Sequence, residues 1–157
     1  MDRYQRLHAR GLVLPAAPRP VASYRSHVRE GGLIYLSGQG PLTADGRLCT
    51  GKVGRDVSLD EAYAHARLAG MNLLAVLHEV LGDLARVKRI VKLLGMVNAA
   101  PDFNDHPLVI NGCSDLFLDV FGPEDGSHAR SAVGMGSLPG NITVEIEAIV
   151  AAHAPDA

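Results

Sequence analysis

The most regular hydrophobic pattern in the chain predicts a long helix near its middle. Between residues 58 and 81, apolar residues recur every three to four positions, which places them on one face of a helix. The segment opens on Ser58-Leu59-Asp60-Glu61, a capping box whose serine and glutamate satisfy backbone amides at the helix start. Gly82 stands where a helix-terminating glycine is expected. We therefore predict a helix over 58–81 that packs a stripe rich in small residues against a sheet.

Short apolar segments bounded by turn residues predict five strands. The first two are Ser23–Val28 and Leu33–Ser37, and the glycine-containing segment between them is typical of a hairpin. The other three are predicted at Val87–Val97, Ser131–Met135 and Thr143–Ala152. Because Leu138-Pro139-Gly140-Asn141 lies between the last two strands, we expect them to pair as a second hairpin.

A second helix is predicted from Pro107 to about Phe121, since proline suits the first turn of a helix. The resulting order, ββαβαββ, predicts an α+β fold with two helices on one face of the sheet. The other sheet face is then bare. In the last strand it carries Glu145, Glu147 and Ile149. Such a face is either solvated or a subunit interface, and the sequence leaves both possibilities open.

The length of 157 residues corresponds to one domain. Residues 1–20 end in a proline-rich run and are interpreted as an N-terminal leader, with a short segment of helical character in 1–14. Residues 21–153 are interpreted as a single domain. The N-terminus has no apolar core typical of a secretory signal, and no 18 apolar residues run together. These features predict a cytoplasmic protein without a membrane partner.

Charge and residue composition exclude several kinds of chemistry. Fifteen Lys+Arg against 17 Asp+Glu, with only 4% aromatic residues, disfavour a nucleic-acid partner. Cys49 and Cys113 lie 64 positions apart, which fits neither a zinc site nor a Cys-x-x-Cys redox motif, so two free thiols are expected. The seven histidines are scattered, and no phosphate-binding or dinucleotide-binding loop is present. We expect neither a metal nor a cofactor.

Two charged residues in the last third of the chain are candidates for catalysis. Glu145 stands inside an apolar strand, where a half-buried position would raise its pKa and suit it to general acid or base catalysis. Arg130 stands near the start of the preceding strand. Its ordinary interpretation is a surface arginine, but a fixed guanidinium near Glu145 would bind a substrate carboxylate bidentately.

Four segments of the chain carry motifs that occur together, in this order, in one known protein family. The first is Tyr24, interpreted as the start of the first strand, and the second is Gly32–Gln39 with its Ser-Gly-Gln signature. Asp102-Phe103 followed by Asn111 is the third segment. The fourth and most specific consists of Ala129–Val133, Leu138-Pro139 and Val144–Ile149. Through these segments, which span about residues 20 to 152, the chain resembles the Rid/YjgF family of reactive intermediate deaminases, long labelled endoribonuclease L-PSP.

The resemblance implies a chorismate-mutase-like homotrimer with its sheets facing inward and three sites between subunits. It also implies cofactor-independent hydrolysis of small enamines or imines, such as 2-aminoacrylate, to 2-keto acids and ammonia. On this basis Arg130 holds the substrate carboxylate and Glu145 positions or deprotonates the attacking water. The implied pocket is completed by Ser37, the Gly38 amide, the Ala132 carbonyl, Tyr24, Phe103 and Asn111.

The chain departs from the family pattern in three places. It carries the N-terminal leader and extra residues around Asn104–Val109, before the predicted second helix, and Ala132 replaces a cysteine common among deaminating members. Two alternatives to a deaminase therefore stay open. One is a trimer that binds a small carboxylate without catalysis, and the other is an endoribonuclease, which the scarcity of aromatic residues disfavours.

The predicted second hairpin has a geometric consequence for the site. It would place Glu145 opposite Gly134, so that Arg130 lies four residues further along, roughly 13 Å away. A ligand of a few heavy atoms does not span that gap. We therefore expect each site to take one wall from a neighbouring chain.

Overall fold

The computed structural model describes residues 1–154. Its helices and strands are, in chain order, α1 (Arg3–His8), β1 (His27–Glu30), β2 (Leu33–Gln39), α2 (Leu59–Leu81), β3 (Val87–Asn98), α3 (His106–Asp125), β4 (Ala129–Met135) and β5 (Val144–Ala152). The strands form one sheet in the order β1-β2-β5-β3-β4. The predicted α+β class is confirmed, and α1 lies in the part of the leader where a short segment of helical character was expected.

Strand β5 occupies the centre of the sheet, antiparallel to both β2 and β3. Its alternate residues Val144, Ile146 and Val150 are completely buried under the helices. The residues between them, including Glu145, are on the other face and partly or fully exposed. A strand with such an apolar core face gains most when it has neighbours on both sides, because both edges and the core face are then removed from water.

The predicted hairpin between the last two strands is wrong. Strand β4 pairs in parallel with β3, and β3 separates it from β5. Helix α3 connects β3 to β4 and brings the chain back so that β4 runs parallel to β3, and β4 pairs with the edge of β3 that β5 does not occupy. In the observed register Glu145 lies opposite Met96 rather than Gly134, and Arg130 lies opposite Leu93.

The first hairpin exists but is displaced from its predicted position. Strand β1 covers His27–Glu30 instead of Ser23–Val28, and the turn contains only Gly31 and Gly32. Gly31 has a φ of 57°, which suits a tight two-residue turn. Tyr24 therefore lies before the strand, in a bend, with 47% of its surface exposed.

Helix α2 confirms the sequence prediction. Ser58 accepts a hydrogen bond from the Glu61 amide, Glu61 bonds back to the Ser58 amide, and Gly82 ends the helix with a φ of 76°. Helix α3 begins at His106, one residue before the predicted start. Residues 106–109 of the extra segment thus form its first turn.

The leader segment is partly packed on the domain. Leu7 of α1 is 2% exposed and belongs to the hydrophobic core, and the Tyr4 hydroxyl accepts a hydrogen bond from the Leu84 amide. The Arg3 guanidinium stacks over the Phe121 ring at 5.0 Å from its centroid. These contacts attach α1 to α3 and to the turn before β3.

The close packing of α2 against α3 gives a stability prediction. A Cβ at Gly112 would lie 2.0 Å from the Tyr63 carbonyl oxygen, whereas the nearest atoms to one at Gly70 would be side-chain atoms of Cys113 and Leu116 at 3.0 Å. Gly112→Ala must therefore push two helix backbones apart, and we expect it to lower the free energy of unfolding by about 3 kcal/mol or more. Gly70→Ala is the matched control, with an expected loss below about 1 kcal/mol because alanine favours a helix. Urea unfolding of both variants checks this, and equal losses would contradict it.

Candidate active site

Arg130 is held on the helix side of the sheet by three hydrogen bonds. Its Nη1 donates to Asn111 Oδ1 at 2.9 Å and to Ser114 Oγ at 3.0 Å, and its Nη2 donates to the Pro107 carbonyl at 3.3 Å. All three acceptors belong to α3. The structure thus brings together Arg130 and Asn111, two of the residues predicted for the site. Ser114 was missed, because a serine inside a helix carries no recognisable motif.

These bonds leave a defined part of the guanidinium free to bind a ligand. A guanidinium has five N–H donors. Both hydrogens of Nη1 and one of Nη2 are used. Within residues 1–154 the remaining donors are the Nε hydrogen and one of the two Nη2 hydrogens. Nε and Nη2 belong to the edge of a guanidinium that a carboxylate binds side-on.

Glu145 lies against a bulge at the end of β2. The register between β2 and β5 shifts between Leu36 and Gln39, so Ser37 and Gly38 form the irregularity. The Glu145 side chain covers Gly38 so closely that a Cβ there would lie 2.7 Å from Oε2. Ser37 is fixed by its hydroxyl, which donates to the Arg25 carbonyl at 2.5 Å. Bulges of this kind redirect backbone groups beside active sites.

The environment of Glu145 makes it a more basic carboxylate than usual. Partial burial raises its pKa, and the negative charge of Glu147 on the same face raises it further. A carboxylate whose pKa is raised accepts a proton more readily, which is the property that a general base requires.

Arg130 and Glu145 cannot contact the same small ligand within one chain. Their side chains point to opposite faces, because Arg130 bonds to α3 and Glu145 alternates with the buried Val144 and Ile146. Two strand spacings of about 4.8 Å and three residues of about 3.3 Å separate their Cα atoms by roughly 14 Å. This is close to the separation expected from the sequence, although the pairing behind that expectation is wrong.

The other residues predicted for the site lie in three different parts of the structure. Ala132 is partly buried on β4, two residues after Arg130, and packs against the core. Phe103 is in edge-to-face contact with the His106 ring and lies against Gly54. It lines an open cavity of about 500 Å³ together with Lys52, His106 and Met135. Tyr24 is exposed and lies outside the strand it was expected to open.

The described part of the chain has free thiols but no metal-binding cluster and no membrane-spanning helix. Cys49 and Cys113 are free, and burial strongly raises the pKa of the Cys113 thiol, so it stays protonated. Among residues 1–154 there is no cluster of three or more His, Cys, Asp or Glu side chains arranged to hold a metal ion. None of the helices described is both long and apolar enough to cross a membrane.

Comparison with known proteins identifies the family. The model of the family described as "YjgF/chorismate_mutase-like, putative endoribonuclease" matches residues 4–148. The chain therefore belongs to the YjgF/chorismate mutase-like family, as its sequence motifs predicted.

Individual relatives cover nearly the whole chain. Protein TCP17 of Trypanosoma cruzi is 44% identical over 140 residues, which is 89% of this chain and 88% of that protein. A protein named 2-iminobutanoate/2-iminopropanoate deaminase from Dermatophagoides farinae is 34% identical over 137 residues, 87% of this chain and 91% of its own length. The crystal structure of Atu1372 from Agrobacterium tumefaciens superposes with a TM-score of 0.89 at 43% identity, covering 96% of this chain and 92% of that one.

The raised pKa of Glu145 predicts a gain in stability when its charge is removed. The folded state binds the proton more tightly than the unfolded state does, so the carboxylate costs stability at any pH above the raised pKa. We expect Glu145→Gln to have a higher Tm than the parent at pH 7. The difference should shrink as pH falls through the raised pKa and vanish below the ordinary value of 4.5. Thermal unfolding between pH 4 and 8 measures this, with the exposed Glu30→Gln as control, and equal Tm values throughout would contradict it.

Proposed function

We propose that this protein hydrolyses small enamine or imine intermediates of the 2-aminoacrylate type to 2-keto acids and ammonia. The observation that carries the proposal is that the chain holds both an anchored guanidinium with two donors free and a half-buried, more basic carboxylate. The 34% identical relative named 2-iminobutanoate/2-iminopropanoate deaminase supports the same substrate class.

The proposed reaction assigns one role to each group. The free Nε and Nη2 hydrogens of Arg130 bind the substrate carboxylate side-on and so fix the neighbouring imine carbon. Glu145 accepts a proton from water as the oxygen attacks that carbon. Collapse of the carbinolamine breaks the C–N bond, and the nitrogen leaves as ammonia with the protons of the imine and of water. Imine and water are consumed, and keto acid and ammonia are produced, in equal amounts.

The opposed faces of Arg130 and Glu145 lead us to propose that each site is shared between two chains of a trimer. The bare sheet face supplies a surface for such an assembly. Besides the carboxylates of β5 it carries Val28, Tyr35 and Val133, which are 56%, 43% and 38% exposed. Exposed apolar side chains on one sheet face are typical of a subunit interface.

Sedimentation equilibrium tests the trimer directly. We expect a mass three times the chain mass of 16.6 kDa at micromolar concentration. Tyr35→Glu places an additional carboxylate on a face that already carries Glu145 and Glu147, so it should shift the mass towards the monomer. A monomeric parent protein would overturn both the trimer and the shared site.

The activity is tested by adding the protein to freshly generated 2-aminoacrylate and measuring imine loss together with pyruvate formation. We expect the parent and Arg19→Ala, a variant at an 81% exposed arginine, to accelerate the reaction equally. Arg130→Ala should leave only the rate in buffer.

Failure of the parent to exceed the rate in buffer would overturn the deaminase proposal. In that case, a measurement of 2-oxobutanoate binding shows whether the protein binds a small carboxylate without catalysis. Binding that depends on Arg130 would instead identify a carboxylate-binding trimer without catalysis.

A further inference from the structure

A chain of hydrogen bonds runs from Arg130 through Ser114 to His128. Ser114 Oγ accepts from Arg130 Nη1 at 3.0 Å and lies 2.9 Å from His128 Nε2. The other ring nitrogen, Nδ1, is 2.7 Å from the Gly126 carbonyl oxygen. His128 precedes β4 by one residue and is partly buried, with its ring edge-to-face against Phe117 at 6.4 Å between centroids.

The chemistry of these partners determines the direction of each bond. A carbonyl oxygen only accepts, so Nδ1 of His128 carries a proton and donates it to Gly126. In the neutral ring Nε2 is then the acceptor, and the Ser114 hydroxyl donates to it. The hydroxyl oxygen is left with its lone pairs towards Arg130, and accepts from Nη1. A neutral His128 therefore orients Ser114 so that it anchors the guanidinium.

We propose that His128, acting through Ser114, is a positioning residue for Arg130 and makes carboxylate binding sensitive to pH. The proposal rests on the proposed function only for the identity of the ligand. It assigns His128 no contact with the substrate. Its role is to hold the guanidinium in the orientation that leaves the Nε and Nη2 donors free for a carboxylate.

Protonation of His128 disrupts this arrangement in two ways. Nε2 becomes a donor, so the Ser114 hydroxyl hydrogen loses its acceptor and the hydroxyl must rotate. The imidazolium also places a positive charge near Arg130. Burial lowers the pKa of His128 and the charge of Arg130 lowers it further, while the bond to Gly126 opposes this. The neutral ring is therefore the dominant form at pH 7.

Two charged groups belong to the surroundings of His128, one on β4 and one on β3. Arg130 on β4 is coupled through Ser114. Arg89 on β3 shares with His128 an open cavity of about 410 Å³ that also includes Ser127. Both groups are positive, and the charge of Arg130 disfavours the imidazolium. Because the cavity is open and the ring is only partly buried, the ring can exchange protons with bulk water without unfolding of the domain.

The first experiment needs no ligand and no activity. The protein is labelled with [15N]arginine, and the Arg130 Nε–H signal, assigned by its loss in Arg130→Lys, is followed from pH 8 to pH 5. We expect a titration step with a midpoint below 6.5, the ordinary histidine value. The step should be absent in His128→Gln, whose amide oxygen still accepts from Ser114 but does not titrate. A signal that does not titrate in the parent, or a step that persists in His128→Gln, would overturn the proposal.

The second experiment measures binding of 2-oxobutanoate, a stable carboxylate whose charge is constant over this range, by calorimetry. In the parent we expect Kd to rise about two- to tenfold below the midpoint of the His128 titration, because the net contribution of one hydrogen bond changes an equilibrium constant by about that factor. His128→Gln should show a flat profile at the high-affinity value. Ser114→Ala should bind weakly at every pH, and Ser114→Thr, which keeps the hydroxyl, should bind more tightly than Ser114→Ala.

These outcomes separate the two proposals. If 2-oxobutanoate does not bind at any pH while the Arg130 signal titrates with His128, the proposed function fails and the link between the residues holds. If binding is tight and equal at pH 5 and pH 8 in the parent, the link to ligand binding fails and the proposed function is unaffected.

Discussion

Replacing Arg130 with lysine is expected to remove most of the activity although the positive charge is kept. The guanidinium makes three hydrogen bonds to α3 and keeps two donors free, whereas an ammonium is a point charge with three donors. The three donors of the lysine ammonium in Arg130→Lys cannot bind Asn111, Ser114 and a substrate carboxylate with the geometry of the guanidinium. Loss of one charge-assisted hydrogen bond costs about 1.5–3 kcal/mol, so kcat/KM should fall by about 10- to 150-fold.

Steady-state kinetics with 2-aminoacrylate measures the effect of Arg130→Lys. Arg19→Lys is the matched control, since Arg19 is 81% exposed and pairs only with the exposed Glu79 among the described residues. Circular dichroism and Tm establish that both variants are folded. Turnover by Arg130→Lys within a factor of about two of the parent would show that Arg130 is an ordinary surface charge and would overturn the assigned site.

Mixing two inactive variants is expected to restore activity if sites are shared between chains. Arg130→Ala destroys the half-site on β4 and α3, and Glu145→Gln destroys the half-site on β5 and β2. In a trimer reassembled from equal amounts, a site is intact when its Arg130 comes from the Glu145→Gln chain and its Glu145 from the Arg130→Ala chain. Random assembly in a ring gives this pairing at about one quarter of the sites. The mixture should therefore recover about a quarter of the parent's activity.

The controls for this experiment establish that mixed assemblies form. Native mass spectrometry with one variant isotopically labelled reports the distribution of mixed trimers after dissociation and reassembly. Each variant reassembled alone should stay inactive, and the parent treated identically should recover fully. Mixed trimers without activity would mean that each site is complete within one chain, in spite of the opposed faces of Arg130 and Glu145.

The surroundings of Glu145 could be predicted from the sequence only in part. The motif Ser37-Gly38-Gln39 marks the end of β2 in the sequence, and the alternation of Val144 with Glu145 places the carboxylate on the bare face. The contact between Gly38 and Glu145 follows from a register shift between β2 and β5. Such a shift depends on the pairing of distant strands, and no local pattern reports it.

The sequence by itself determined the features that arise from neighbouring residues. The bounds of α2 follow from its capping box and from Gly82, and the two faces of β5 follow from simple alternation. Only the tertiary structure decided the order of the strands, the position of β3 between β4 and β5, and hence the opposite faces of Arg130 and Glu145. It also decided the contact of Ser114 with His128. The physical reason is that helix caps and alternation act over a few residues, whereas strand order results from competition among all strands for the buried centre of the sheet.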